Sequence, residues 1–177
     1  MGRVLSGRSD IALDAMGMGQ ATALAQRWRS VDPVAIHASP RRRTQQTARP
    51  LADRLGQRVL IEPALDEVDF GAFTGRTFAA LEDDPDWRHW NAARDVARCP
   101  GGETMAEAVA RAVAFVAARP PGVSLCVTHC DVIRGVVAHY LGLDLTRIFQ
   151  LGCDPGSITT LELEGEGACL VALNERG

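Results

Sequence analysis

Short apolar runs of strand length alternate along this chain with longer segments of helical periodicity, and that alternation restricts it to a layered α/β fold. Residues 17–31 place Ala21, Leu24, Ala25 and Trp28 at helical spacing. Val34-Ala35-Ile36 is a buried-strand candidate. Ser39-Pro40 then predicts an N-cap with proline at the first helical position, opening a helix to about Leu55 that Pro50 kinks or divides. Residues 58–61 are a second strand candidate, residues 65–75 an acidic and aromatic loop, and residues 78–81 and 86–93 short helices. Residues 103–118 form an Ala-rich helix, and 123–128 the clearest buried strand, with His129 at its carboxyl end. Residues 132–141 make the next helix, and residues 157–163 and 168–173 two antiparallel strands turned through Gly165-Glu166-Gly167. The expected architecture is a mostly parallel sheet flanked by helices, in one domain over residues 1–177, with no linker or internal repeat.

Composition narrows the classes of function. A net charge of −3 gives no bulk reason to expect nucleic acid or an anionic membrane as partner. The Arg41-Arg42-Arg43 run stands out against that background, although a solvated helix start accounts for such a run by itself. Five cysteines without a CxxC pair argue against a disulfide framework or a zinc site and for a reducing compartment. The first residues lack a signal-peptide core, no apolar run reaches membrane-spanning length, and the weak myristoylation likeness of Met1-Gly2 with Ser6 carries little weight, so a cytoplasmic location is expected.

Four polar constellations fall near strand ends, where open α/β sheets bind ligands. Residues 39–48 follow a strand directly, and a helix start there offers free N–H groups while an arginine adds a two-pronged donor for phosphate. Residues 65–71 set carboxylates among apolar groups that raise a pKa. Pro100-Gly101-Gly102-Glu103-Thr104 is a flexible turn into a helix, and Val127-Thr128-His129 ends a strand on a histidine. Each is weak singly; their order is the strong signal.

In that order the chain resembles the histidine phosphatase superfamily, branch 1, the phosphoglycerate-mutase-like proteins. The matching residues are Gly2-Arg3, Ser6-Gly7, Leu13 with Gly17-Met18-Gly19-Gln20-Ala21, Ser39-Pro40 with Arg43 and Gln46-Thr47-Ala48, Leu65-Asp66-Glu67, Phe70-Gly71, Gly101-Gly102-Glu103-Thr104, Thr128-His129 and residues 154–159. The resemblance implies a phosphohistidine mechanism on phosphomonoesters, with Glu67 protonating the leaving oxygen and Arg43 and His129 holding the phosphoryl group. It places Arg3, Ser6, Gly7, Gly102, Glu103 and Thr104 on the substrate side, and implies no metal and no organic cofactor. The expected partner is a small phosphorylated substrate or inorganic phosphate; the sequence leaves a homo-oligomer open.

Two departures stand out. The family's first strand ends in Arg-His-Gly, which has no counterpart here; residues 1–16 offer only Val4-Leu5, Ile11 and Leu13 as apolar points. Of the other histidines, His89 and His139 look structural or solvated, and His37 lies nearer the site. Loss of about six residues of a central strand forfeits on the order of 10 kcal/mol of burial, comparable to a whole domain's stability. A start codon assigned too late is therefore the simplest expectation, with the slot beside residues 123–128 empty, shifted or filled by a partner chain. Second, Cys130 stands where the family has glycine, and a cysteine-phosphatase loop is ruled against because Val136 occupies the position its arginine needs. The leading expectation is a phosphomonoesterase that is weak or inactive as this chain. The alternatives are a non-catalytic phosphate-binding or regulatory protein, and a mutase-type phosphotransferase, which the short length disfavours.

Overall fold

Alternation along one four-residue strand sets the layers. In β1 (Ala35–Ala38), Ile36 and Ala38 are fully buried and pack with Ala48 and Ala52 of helix α2 (Arg42–Leu55). His37 points the opposite way, as period-two geometry requires, and meets Phe115 of helix α5 (Met105–Ala117) edge-on at 5.0 Å. The computed structural model describes residues 4–28, 32–165 and 167–176. β1 is the middle of a parallel three-stranded sheet with β2 (Val59–Ile61) and β3 (Ser124–Val127), in the order β2-β1-β3. Ile36 lies opposite both Val59 and Leu125, and Ala38 opposite Ile61 and Val127. Because all three strands run the same way, Ser39 and His129 leave the sheet at the same edge.

Helix α1 (Ala15–Arg27) packs on α2, and α5 on α6 (Cys130–Leu141). Short helices α3 (Phe78–Glu82) and α4 (Pro85–Ala92) close one end around an aromatic core. There Trp87 stacks on Trp90 at 5.4 Å, and Phe70 meets Trp90 at 5.2 Å. Such pairs are each worth about 0.5–1.5 kcal/mol beyond the area they bury. The expected pair of antiparallel strands is present as β4 (Ile158–Glu164) and β5 (Gly167–Glu175), which form a sheet of their own. Among the described residues β3 pairs with β1 alone, and all four of its residues are only half-buried. No helix among the described residues is long and apolar enough to cross a membrane.

Helix starts differ from expectation where side chains have other work. Ser39 does not cap α2; Arg41 is the N-cap residue, without a side-chain cap, because the Ser39 hydroxyl is drawn into a buried network. Pro50 sits inside an α2 that continues unbroken to Leu55. α5 begins at Met105, after a capping box between Thr104 and Glu107, and α6 begins two residues before the expected start.

The α5–α6 crossing depends on Gly135. A Cβ there would stand 2.3 Å from Val109 Cγ2 and 3.0 Å from the Met105 Sδ-methyl carbon, Cε. Alanine gains about 1 kcal/mol over glycine inside a helix. A contact this short costs more, since overpacking typically costs about 1–3 kcal/mol and Val109 has one favoured rotamer. Gly135→Ala is therefore expected to lower stability by about 1 kcal/mol or more in urea unfolding. A raised midpoint would show that the helices are not in this contact.

Candidate active site

The ends of β1 and β3 are tied together and to the loop that follows β2. Ser39 N–H donates to Val127 O at 3.0 Å, and Thr128 Oγ1 donates to Leu65 O at 2.6 Å. His129 is the N-cap residue of α6, in extended backbone, with its ring buried. Arg43, one residue into α2, reaches it with Nη2 at 3.0 Å from His129 Nδ1. A guanidinium only donates, so Nδ1 is the acceptor and the ring proton lies on Nε2. Nε2–H donates to Ser39 Oγ at 2.8 Å, and the Ser39 hydroxyl donates to Asp66 Oδ1 at 3.2 Å. Ser39 Oγ also accepts from Arg41 N–H at 3.3 Å, so this buried hydroxyl is fully used.

The electrostatics split the titratable groups. Burial, then the positive charge of Arg43, Arg41, Arg111 and Arg8, pushes His129 down to about 2, so the ring is neutral. Burial lowers Arg43 as well, but a guanidinium stays charged. Glu67 lies with Oε2 at 3.5 Å from His129 Nδ1 and 3.8 Å from Arg43 Nη2. Burial, reinforced by the Asp131 carboxylate, raises Glu67 to about 8, against the pull of Val68 N–H and Arg43. Glu67 thus carries a proton at neutral pH beside a cation and a neutral imidazole, the state a general acid needs.

The other expected site residues are placed as follows. Arg3 lies outside the described residues. The loop after it wraps Arg43: Gly7 O accepts from Nη2 at 2.8 Å and Ser9 O from Nη1 at 3.0 Å, while Ser6 O accepts from Ser9 N–H. Gly7 has φ +48°, and a Cβ would stand 2.8 Å from Thr74 Oγ1, so glycine is required there. Gly102 lies face-on against residues 69–71, where a Cβ would be 2.1 Å from Asp69 O. The Glu103 carboxylate is held by Arg8 Nη2 at 2.9 Å, Arg111 Nη2 at 2.8 Å and Asp69 N–H at 2.9 Å. The Thr104 hydroxyl accepts from Glu107 N–H as the α5 cap. The structure therefore gathers Gly7, Arg43, Glu67 and His129. Gly102 and Glu103 brace the Glu67 loop, while Thr104 is engaged with Glu107 at the start of α5.

Sequence reasoning gave no site role to Arg8, Arg41, Asp66 or Arg111, and gave Ser39 only that of a helix cap. Asp66 Oδ1 accepts from Glu67 N–H at 2.8 Å and lies 2.9 Å from Arg41 Nε. Arg8 Nε and Arg111 Nη2 both donate to Glu67 O, at 2.9 and 3.0 Å. The Glu103, Glu107, Arg111 spacing along one helix face was the available signal for Arg111. Arg8 had none beyond its place after Ser6-Gly7. Cys130 opens α6 with its thiol 3.4 Å from Cys153 O; a hydrogen bond from the Cys153 side chain brings Cys130 down to about 7. His37 packs on Phe115, and His139 meets Tyr140 edge-on at 5.1 Å.

Comparison with known proteins points one way. Residues 1–176 match the family model described as Histidine phosphatase superfamily (branch 1). Phosphoserine phosphatase 1 of Hydrogenobacter thermophilus is 29% identical over 95% of this chain and 82% of its own length. A protein of Enterobacter sp. (strain 638) carrying the name Probable phosphoglycerate mutase GpmB is 37% identical, over 80% of this chain and 68% of its own. A mycobacterial glucosyl-3-phosphoglycerate phosphatase, solved in complex with VO3, superposes with a TM-score of 0.86 at 29% identity, covering 99% of this chain and 92% of that one.

The raised Glu67 pKa has a measurable consequence. Glu67 holds its proton more tightly folded than unfolded, where it titrates near 4.5. It therefore adds nothing against folding below about 4.5 and favours the unfolded state increasingly as pH rises toward about 8. Glu67→Gln is expected to gain stability over the wild type across that window, by chemical denaturation at matched pH. A stability difference independent of pH from 4.5 to 8 would refute the shift.

Proposed function

The chain belongs to the histidine phosphatase superfamily, branch 1, and from that premise we propose that it binds phosphomonoesters with the phosphoryl group on Arg43 and His129. Glu67 stands ready to protonate the leaving alcohol oxygen. The observation that carries this reading is the meeting of a half-buried guanidinium, a neutral imidazole and a protonated carboxyl within 3.8 Å of one another. An entering phosphoryl oxygen takes the Arg43 Nη2 donor that His129 Nδ1 now accepts. The dianion then favours a proton on Nδ1, taken from solvent or from the phosphate monoanion as it binds, which makes His129 a second donor toward the same group. Arg8, Arg41 and Arg111 hold the surrounding field positive, so charge developing on the equatorial oxygens is met without rearrangement.

The names of the relatives support phosphoryl chemistry: phosphoserine phosphatase, phosphoglycerate mutase and glucosyl-3-phosphoglycerate phosphatase. The reaction in this family runs through a histidine in an Arg-His-Gly string, and these 177 residues contain none. His129 is engaged at both ring nitrogens and is not free to attack. The proposal is accordingly a phosphomonoester site in a single domain, working in the cytoplasm without metal or organic cofactor, whose turnover by these residues alone is slow or absent. That same engagement of His129 favours the second reading, a protein that binds phosphate without hydrolysing it.

Calorimetric titration with inorganic phosphate tests the site without requiring turnover. Arg43→Met is expected to weaken binding about tenfold or more, the usual cost of losing a charge-assisted donor pair. An unchanged affinity in a folded Arg43→Met variant refutes the assignment. So does robust hydrolysis of p-nitrophenyl phosphate that His129→Ala leaves untouched.

A further inference from the structure

Beyond the Arg43 pocket, two neighbouring buried residues each carry a donor without an acceptor. Trp90 is 1% exposed and Arg94 3% exposed, and neither Trp90 Nε1 nor Arg94 Nη1 has a hydrogen-bond partner among the described residues. The Arg94 guanidinium lies 4.2 Å from the Trp90 ring centroid and 4.4 Å from that of Phe149, and only its Nη2 is satisfied, by the Asn91 side-chain oxygen. A buried cation with an idle nitrogen is costly unless something answers it. The neighbouring carboxylate, Asp131, is already 3.4 Å from Arg134 Nη1. Asp154 also acts on Arg134 but is paired with Arg176, so three guanidiniums against two carboxylates leave a single positive charge uncompensated.

What covers this charge is a side chain that gains little by staying. Phe149, in the 3₁₀ turn Leu145–Gln150, is 57% exposed while lying over Arg94, and its ring is 5.2 Å from Arg134 Cζ. An exposed cation–π contact holds it by roughly 0.5–1 kcal/mol, so rotation away is cheap. The cluster adjoins the phosphoryl pocket, because Asp131 follows Cys130 and His129 in the chain and its carboxylate acts on Glu67.

Resting on the phosphomonoester reading, we propose that Arg94, Trp90 Nε1–H and Arg134 form a second anion subsite, gated by Phe149, that takes a carboxylate carried on the alcohol part of the substrate. One residual positive charge matches a monoanion, and the free nitrogens of a guanidinium and an indole match the two oxygens of a carboxylate. A phosphate dianion would face Asp131 with too few donors.

The test is a set of titrations of the full chain with inorganic phosphate, phosphoserine and phosphoethanolamine; the last two differ by the carboxylate. Phosphoserine is expected to bind about tenfold or more tighter than phosphoethanolamine, and Arg94→Met to bring that ratio toward one. Phe149→Ala, at an exposed position that leaves the fold intact, is expected to tighten phosphoserine several-fold without tightening phosphoethanolamine; it decides the matter if Arg94→Met does not fold. Phosphate binding with a wild-type ratio near one overturns this inference alone, as does a ratio unmoved in folded Arg94→Met or in Phe149→Ala. Recovery of phosphoethanolamine affinity on adding acetate overturns the substrate-borne form in favour of a free anion. A wild type that binds none of the three ligands overturns the phosphomonoester reading as well.

Discussion

One lone pair, on His129 Nδ1, sets the direction of the protons around it. Because it faces a guanidinium that only donates, the ring proton is forced onto Nε2, then the hydroxyl proton of Ser39 toward Asp66. That relay joins the end of β3 to the end of β1 and to the loop after β2, so the contact that defines the pocket also fastens three elements of the fold. It fixes the charge too, since a neutral imidazole adds nothing to the positive field of the four arginines around it. Remove the acceptor, and neither the tautomer nor the Ser39 orientation is determined.

The carboxylates of the site fall into two kinds by what meets them. Asp66, Asp69 and Glu103 are met by arginine nitrogens at 2.8–3.1 Å, with a backbone N–H group adding to each. Glu67 has its nearest guanidinium nitrogen at 3.8 Å and a like charge in Asp131. The same short loop therefore holds carboxylates that brace and one that keeps its proton. Burial of Glu67, with the arginine nitrogens placed on its neighbours, makes the difference, while residue type does not. Arg8 and Arg111 brace the Glu67 backbone and leave its side chain alone, which positions an acid without neutralising its chemistry.

The layered fold was legible because each of its segments announces itself locally: the apolar strand before His129, the Ala-rich helix, the glycine-linked hairpin. Arg43, Glu67 and His129 were legible because each sits in a motif tied to a strand end. Ser39 was misjudged as a helix cap because a serine before a proline looks the same in sequence whether its hydroxyl turns back to the helix or outward to a histidine 90 residues away. Glu103 and Thr104 sit in a motif that names their neighbourhood without showing which way their polar atoms point. Arg8 was invisible because its partners, Glu67, Asp69 and Glu103, are 59 to 95 residues distant. Sequence patterns resolve neighbours a few residues apart and fail where tertiary contact assigns the role.

The wrapping of Arg43 has a final consequence. Its contacts reach back 34 and 36 residues to the Ser9 and Gly7 carbonyls and forward 86 to His129, so the site exists only after three distant stretches of chain have closed on one another. Closure of such loops costs entropy before it returns any contact, and folds built this way assemble slowly. The oxyanion proposed to sit between Arg43 and His129 would bridge the last two of those stretches, since only the closed form offers it both groups. Such a ligand is then part of the molecule's thermal resistance as well as its chemistry: at a hundredfold excess over Kd, mass action adds about 2.7 kcal/mol to the folded state.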